Sequence, residues 1–159
     1  MFFFALSAMA LAAATPVGLP TTGTTPVYVD VVDYRGPGGG WGFLDLEDRL
    51  AKGFDDVCGD TFCEGEYSNI QHLRYRCSVR VADGVMGECI WTLAGSNQAV
   101  DQTSGEVVVN GHIWQCRSPI VPGTTLGEFN QALEGRKAID APLPRGGMSI
   151  YEGLIDCGF

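Results

Sequence analysis

Two cysteines and five acids crowd residues 55–66, DDVCGDTFCEGE. Carboxylates are hard oxygen ligands, and Asp55, Asp56, Asp60, Glu64 and Glu66 converging on one point would hold Ca²⁺. The EF-hand order D-x-D-x-D-G is absent, so the run reads first as a solvated helix end followed by a turn. Zinc held by Cys58 and Cys63 would need two further close ligands, which C-x₄-C does not supply. Thiol redox chemistry would favour C-x-x-C, and no pair of cysteines in the chain has that spacing. Acid–base work by Asp60, Glu64 or Glu66 together with His72 is open to an enzyme, but no spacing singles out a pair of carboxylates. No metal and no cofactor are therefore expected.

A second set of charges follows in 72–81, HLRYRCSVRV. Arg74, Arg76 and Arg80 fall on alternate positions, so one face of a strand would present them, with Arg117 nearby on a later strand. Guanidinium groups in such a row grip carboxylates, phosphates or an acidic partner surface. The plainer reading is a solvated sheet face balanced by Glu88 and the acidic loop. His72 is assigned to that same polar face and His112 to the buried one. No G-x-S-x-G nucleophile motif occurs, and Gly38-Gly39-Gly40 lacks the Gly-Lys-Ser/Thr of a phosphate loop. That glycine run reads as a loop, with Trp41 packing onto the core.

The elements that must carry these residues follow from periodicity. Leu46, Leu50, Phe54 and Val57 recur at helical spacing, which predicts a helix over about 43–57 with Asp45, Glu47, Asp48, Arg49 and Lys52 on its wet side. Val27 to Tyr34 reads as a first strand. Leu73, Tyr75, Cys77, Val79 and Val81 alternate with His72, Arg74, Arg76, Ser78 and Arg80, marking a strand with one dry face. Asp83-Gly84 predicts a hairpin into a strand at about 88–94, and a polar loop at 96–105 leads to another strand at about 106–116. Folding the second hairpin about residues 102–103 sets Cys89 against Cys116 and Trp91 against Trp114. Thr125 with Glu128 and Ser149 with Glu152 fit capping boxes opening two short helices. The expected fold is α+β: a three-stranded antiparallel meander plus an N-terminal strand, with one face covered by the three helices.

Six cysteines, all downstream of residue 57, suit an oxidising compartment. Cys77 and Cys89 fall nearly opposite each other across the first hairpin, and Cys89 with Cys116 is the rival pair. If Cys77 bonds Cys89, then Cys116 is left for Cys157 on the last helix and Cys58–Cys63 closes the small loop.

The opening MFFFALSAMALAAA has the apolar run and small-residue end of a secretory signal, with no basic residue after Met1. It is shorter than the ~20 apolar residues a membrane-spanning helix needs. The expected organisation is a signal peptide at 1–14, a Thr/Pro/Gly-rich tether at 15–26 and a single α+β domain at 27–159. Its setting is the periplasm or the exterior, with no transmembrane anchor. A formal charge of −9 argues against nucleic acid and anionic lipid as partners.

CGDTFCEGEY, LRYRCSVR, CIWTLAGS and VDQTSGEV together resemble small exported bacterial proteins of unassigned function, over roughly residues 45–157. The resemblance implies a periplasmic or secreted setting and carries over no catalytic residue. The leading expectation is an exported, non-enzymatic module that binds a protein or cell-envelope partner through the charged sheet face, in the manner of a periplasmic inhibitor or immunity protein. A small secreted hydrolase or sugar-active enzyme using loop 55–66 is the alternative, and a calcium-stabilised envelope protein is another.

Overall fold

The computed structural model describes residues 25–58, 65, 67 and 69–157. The expected signal peptide, residues 15–24 of the tether, and Asp60, Cys63, Glu64 and Glu66 of the acidic loop lie outside the described residues.

Strand β1 (Tyr28–Asp30) leads into helix α1 (Trp41–Val57), and then β2 (Gln71–Arg80), β3 (Met86–Val100) and β4 (Val107–Arg117) follow. Helices α2 (Leu126–Ala132) and α3 (Ile150–Ile155) close the chain. The four strands form one antiparallel sheet in the order β1-β2-β3-β4, so each strand pairs with its sequence neighbour. With α1, α2 and α3, this is the expected α+β architecture.

β1 is shorter than its β-branched sequence suggests. The Asp30 carboxylate accepts from the Val32 amide at 2.8 Å and caps a 3-10 turn at Val31–Asp33, which ends the strand. α1 starts at Trp41, after Gly40 at φ 69°, and the Trp41 side chain is 84% exposed rather than packed on the core. Phe43, Leu46, Leu50 and Phe54 form its buried stripe. They meet Tyr75, Trp91 and Leu93 from the inner face of the sheet, with Phe43 stacked on Tyr75 and Phe54 tilted against Trp91. Both capping boxes form: Thr125 with Glu128 opens α2, and Ser149 with Glu152 opens α3.

The first hairpin turns through Gly84 at φ 71°, a conformation glycine adopts without a Cβ clash, and Cys77 stands opposite Cys89. These two form a disulfide, and Cys116 forms another with Cys157, tying the chain just beyond α3 to β4. The Cys58–Cys63 pairing falls on a residue outside those described.

The second hairpin differs from the expected one in length and register. β3 runs on to Val100 and the polar stretch 96–100 is strand, not loop. Asp101 accepts from the amides of Thr103 and Ser104, and Gly105 takes φ 74°, so the turn spans 101–106. That moves every pairing by two residues: Trp91 lies opposite Cys116, and Leu93 opposite Trp114. A shift of two keeps each side chain on its expected face, so the apolar sorting survives while the partners change.

Candidate functional site

The densest polar cluster sits where α1 crosses the edge of β2. β1 pairs with β2 only through Arg80, Val79 and Ser78, which leaves the β2 backbone open from Cys77 back to Gln71. Cys77 and Cys89 have Cα atoms 4.0 Å apart, the spacing of a pair that exchanges no backbone bonds. Tyr75, two residues on, therefore also turns its N–H and C=O away from β3. Glu47 of α1 accepts the Tyr75 N–H at 2.8 Å, and Arg76 donates to the Tyr75 carbonyl at 2.8 Å. The same Arg76 guanidinium reaches the other Glu47 oxygen at 2.5 Å, and its Nε lies 3.5 Å from Asp30.

Glu47 is thus buried, not on the wet side of its helix. Its position was open to detection: Phe43, Glu47, Leu50 and Phe54 follow a 4-3-4 spacing that places the carboxylate inside the apolar stripe. A buried charge at such a position requires partners, and the open strand edge with its arginine supplies them.

His72 also departs from its expected side. A bulge between His72 and Arg74 adds Leu73 to the strand, which breaks the alternation. His72 then pairs with the fully buried Leu93 and turns inward, while Leu73 is 49% exposed rather than in the core. The Trp91 indole donates to His72 Nδ1 at 2.7 Å, and His72 Nε2 lies 3.8 Å from Glu47. Burial holds the imidazole below its ordinary 6.5, with the Glu47 carboxylate opposing that shift. Because Nδ1 accepts from Trp91, the ring proton sits on Nε2, and the lone pair a general base would use is already engaged. The chemistry of this cluster is that of a lock between helix and sheet.

His112 shares the inner face of β4 but lies beyond the helical cover and is exposed. It packs near Trp114 and Tyr67, whose ring meets Trp114 edge-on at 5.3 Å. Among the described residues, no group of three or more His, Cys, Asp and Glu side chains is placed to hold a metal ion.

The arginines of the row are each matched to a carboxylate. Arg74 lies 3.8 Å from Glu47, Arg80 makes a two-point contact with Asp83 at 2.7 and 2.8 Å, and Arg117 pairs with Glu88. The row is therefore a compensated face and not a bare basic patch. Around it the outer sheet face carries Ser78, Ile90, Thr92, Ala94, Ile113 and Gln115, none of them buried. A shallow depression of about 320 Å³ lies there, lined by Asp30, Arg76, Cys77, Ser78, Glu88 and Ile90. Asp60, Glu64 and Glu66 lie outside the described residues.

No family model, curated protein or solved structure matches the chain. Among the described residues, no helix is long and apolar enough to cross a membrane.

Proposed function

We propose that this chain is an exported, non-enzymatic binding module that docks a protein partner through the outer face of its sheet, as a periplasmic inhibitor or immunity-type protein does. One observation carries the reading: all three helices pack on one side of a four-stranded sheet, and among the described residues nothing covers the other side along β2, β3 and β4. That face mixes apolar groups (Leu73, Ile90, Ile113) with arginines held in fixed positions by their carboxylates, the residue mixture found at the centre and rim of protein interfaces. Because each arginine already has an internal counter-charge, the face suits a mixed polar and apolar protein surface better than a polyanion. The disulfides fit an oxidising compartment.

The test places a photo-crosslinking residue at Thr92, on the outer face, and a control at Lys52, on the solvent side of α1. Crosslinking in cell-envelope extract is expected to give one discrete adduct from Thr92, lost when Arg74 and Arg117 are both changed to Glu. The same adduct from Lys52, or one unaffected by the charge reversals, removes the outer face from the reading.

A further inference from the structure

The far side of β4 carries an interaction surface of a different kind. β4 is the last strand of the sheet, eleven residues long, and among the described residues nothing pairs with its outer edge. The ladder defines which backbone groups are open. Asp101 N–H donates to Glu106 at one end and Ser118 N–H donates to Cys89 at the other, so even-numbered residues from 106 to 118 turn their backbone toward β3. Val107, Val109, Gly111, Ile113 and Gln115 turn theirs away, into an unpaired row.

Long strand edges in monomeric proteins are guarded by lysines, prolines, bulges or a covering element, because an open row templates pairing with another chain. Over residues 107–115, and among the described residues, this edge has none of those guards; α3 comes up to β4 at its far end, where Gly153 lies against the Arg117 carbonyl. Between Glu106 and Arg117 the sequence VVVNGHIWQC holds no Asp, Glu, Lys, Arg or Pro, although the chain as a whole carries −9. The β3–β4 pairing is continuous with no bulge, and Val109 and Ile113 are 62% and 61% exposed.

We propose that two copies of this chain join through this edge, β4 against β4 in antiparallel register about a two-fold axis at Gly111, making one continuous sheet. An odd-numbered centre is required for the open backbone groups of the two copies to face each other. With the axis at Gly111, Val109 of each copy stands across from Ile113 of the other on the outer face, and Val108 across from Trp114 on the inner face. The same register sets Arg117, which keeps its Glu88 contact on the outer face, across from Gly105 in the turn of the opposite copy. Two −9 chains repel at long range whichever surfaces meet, and this edge, with no charged residue along 107–116, adds no local like-charge contact to that repulsion. The pairing goes beyond the docking face, which it leaves open and extends across both copies.

The disulfide-intact protein is examined by size-exclusion chromatography with light scattering and by amide hydrogen exchange. A mass of twice the chain is expected, with the N–H groups of Val109, Gly111 and Ile113 protected at high concentration and released on dilution. A monomer at every concentration up to about 1 mM overturns the proposal. So does a dimer in which those three amides exchange freely, a result that needs no variant to fold. Val109→Lys with Ile113→Lys sets like charges across the axis and is expected to weaken the dimer about tenfold or more, as is Val109→Glu with Ile113→Glu. Mixing the two variants is expected to restore a dimer of one copy of each. Variants that remain dimeric alone, or that stay monomeric when mixed, count against the register.

Discussion

Glu47 of α1 accepts the backbone N–H of Tyr75 at 2.8 Å, doing for the exposed edge of β2 what a longer β1 strand would have done. The bond joins a helix to a strand 28 residues later, and Arg76 completes it by binding both the Glu47 carboxylate and the Tyr75 carbonyl. An unpaired edge at the heart of the sheet is thereby closed, and α1 is held in one rotation over the core.

Glu47→Ala is therefore expected to destabilise the fold by about 3 kcal/mol, since it leaves the Tyr75 N–H without an acceptor and Arg76 with only the Tyr75 carbonyl and Asp30. Glu47→Gln keeps an acceptor for that N–H and loses only the charge, so about 1–2 kcal/mol is expected. Urea midpoints at unchanged m-value measure both. Equal losses for the two variants would show that the charge, and not the edge cap, matters.

His72 makes stability depend on pH. Its folded-state pKa is lowered by burial below the 6.5 of an unfolded chain, so below that value the unfolded state binds the extra proton first. Stability from this group is fully present above pH 6.5 and falls as the pH drops from there toward the lowered folded value. Protonation also removes the lone pair that accepts from Trp91. Melting temperature followed from about pH 8 to about pH 5 is expected to decline for the parent and to decline less for His72→Gln.

Glu128 is held at the opposite extreme. Arg145 at 2.9 Å, with the amide and hydroxyl of Thr125 behind it, brings its pKa down to about 2. Carbon-detected NMR titration of the side-chain carboxyl is expected to give that midpoint, and Arg145→Ala to move it up toward 4.5. A midpoint unmoved by the substitution would mean the capping box alone sets it.

The two described disulfides close loops of different length, with sequence separations of 12 for Cys77–Cys89 and 41 for Cys116–Cys157. Loop-closure entropy predicts that replacing Cys116 and Cys157 by Ala costs about 4 kcal/mol, against about 3 kcal/mol for Cys77 and Cys89. Denaturant unfolding of the two double variants ranks them, and a reversed order would point to packing of Cys77 and Cys89 in the core as the larger contribution.

Trp41 and Trp91 provide a contrast in one measurement. Trp41 is largely exposed at the start of α1, and Trp91 is fully buried with its indole N–H on His72. Acrylamide is expected to quench fluorescence of a Trp91→Phe variant more strongly than that of a Trp41→Phe variant. Trp41→Ala is expected to change stability by less than about 0.5 kcal/mol.

Much of the fold was legible because it rests on local rules. Period-two alternation placed Tyr75, Cys77 and Val79 on the dry face, helical spacing placed Leu46, Leu50 and Phe54 against them, and the Thr125–Glu128 and Ser149–Glu152 spacings marked two helix starts. Face sorting tolerated an error of two residues in the second hairpin because strand side chains repeat with period two. The candidate site was less legible. One inserted residue, Leu73, exchanged the sides of Leu73 and His72, and a bulge of that kind has no signature in alternating sequence. The arginines could be placed on one face, but whether Arg74, Arg76 and Arg117 stood free or paired depended on Glu47 and Glu88, far along the chain; only Arg80 finds its carboxylate, Asp83, nearby.

What the sequence by itself determined is the set of faces: which residues of each strand and helix are apolar together, where caps and turns fall, and that Cys77 can meet Cys89. Those follow from backbone geometry within a few residues. Only the tertiary structure decided the partners. β1 stops at Asp30 because a side chain caps its own turn, and that premature stop opens the β2 edge. The opening admits Glu47, draws Arg76 round to it and locks helix to sheet. The stop itself is local, but every later step depends on contacts between residues distant in sequence, and no local periodicity encodes a distance across the fold.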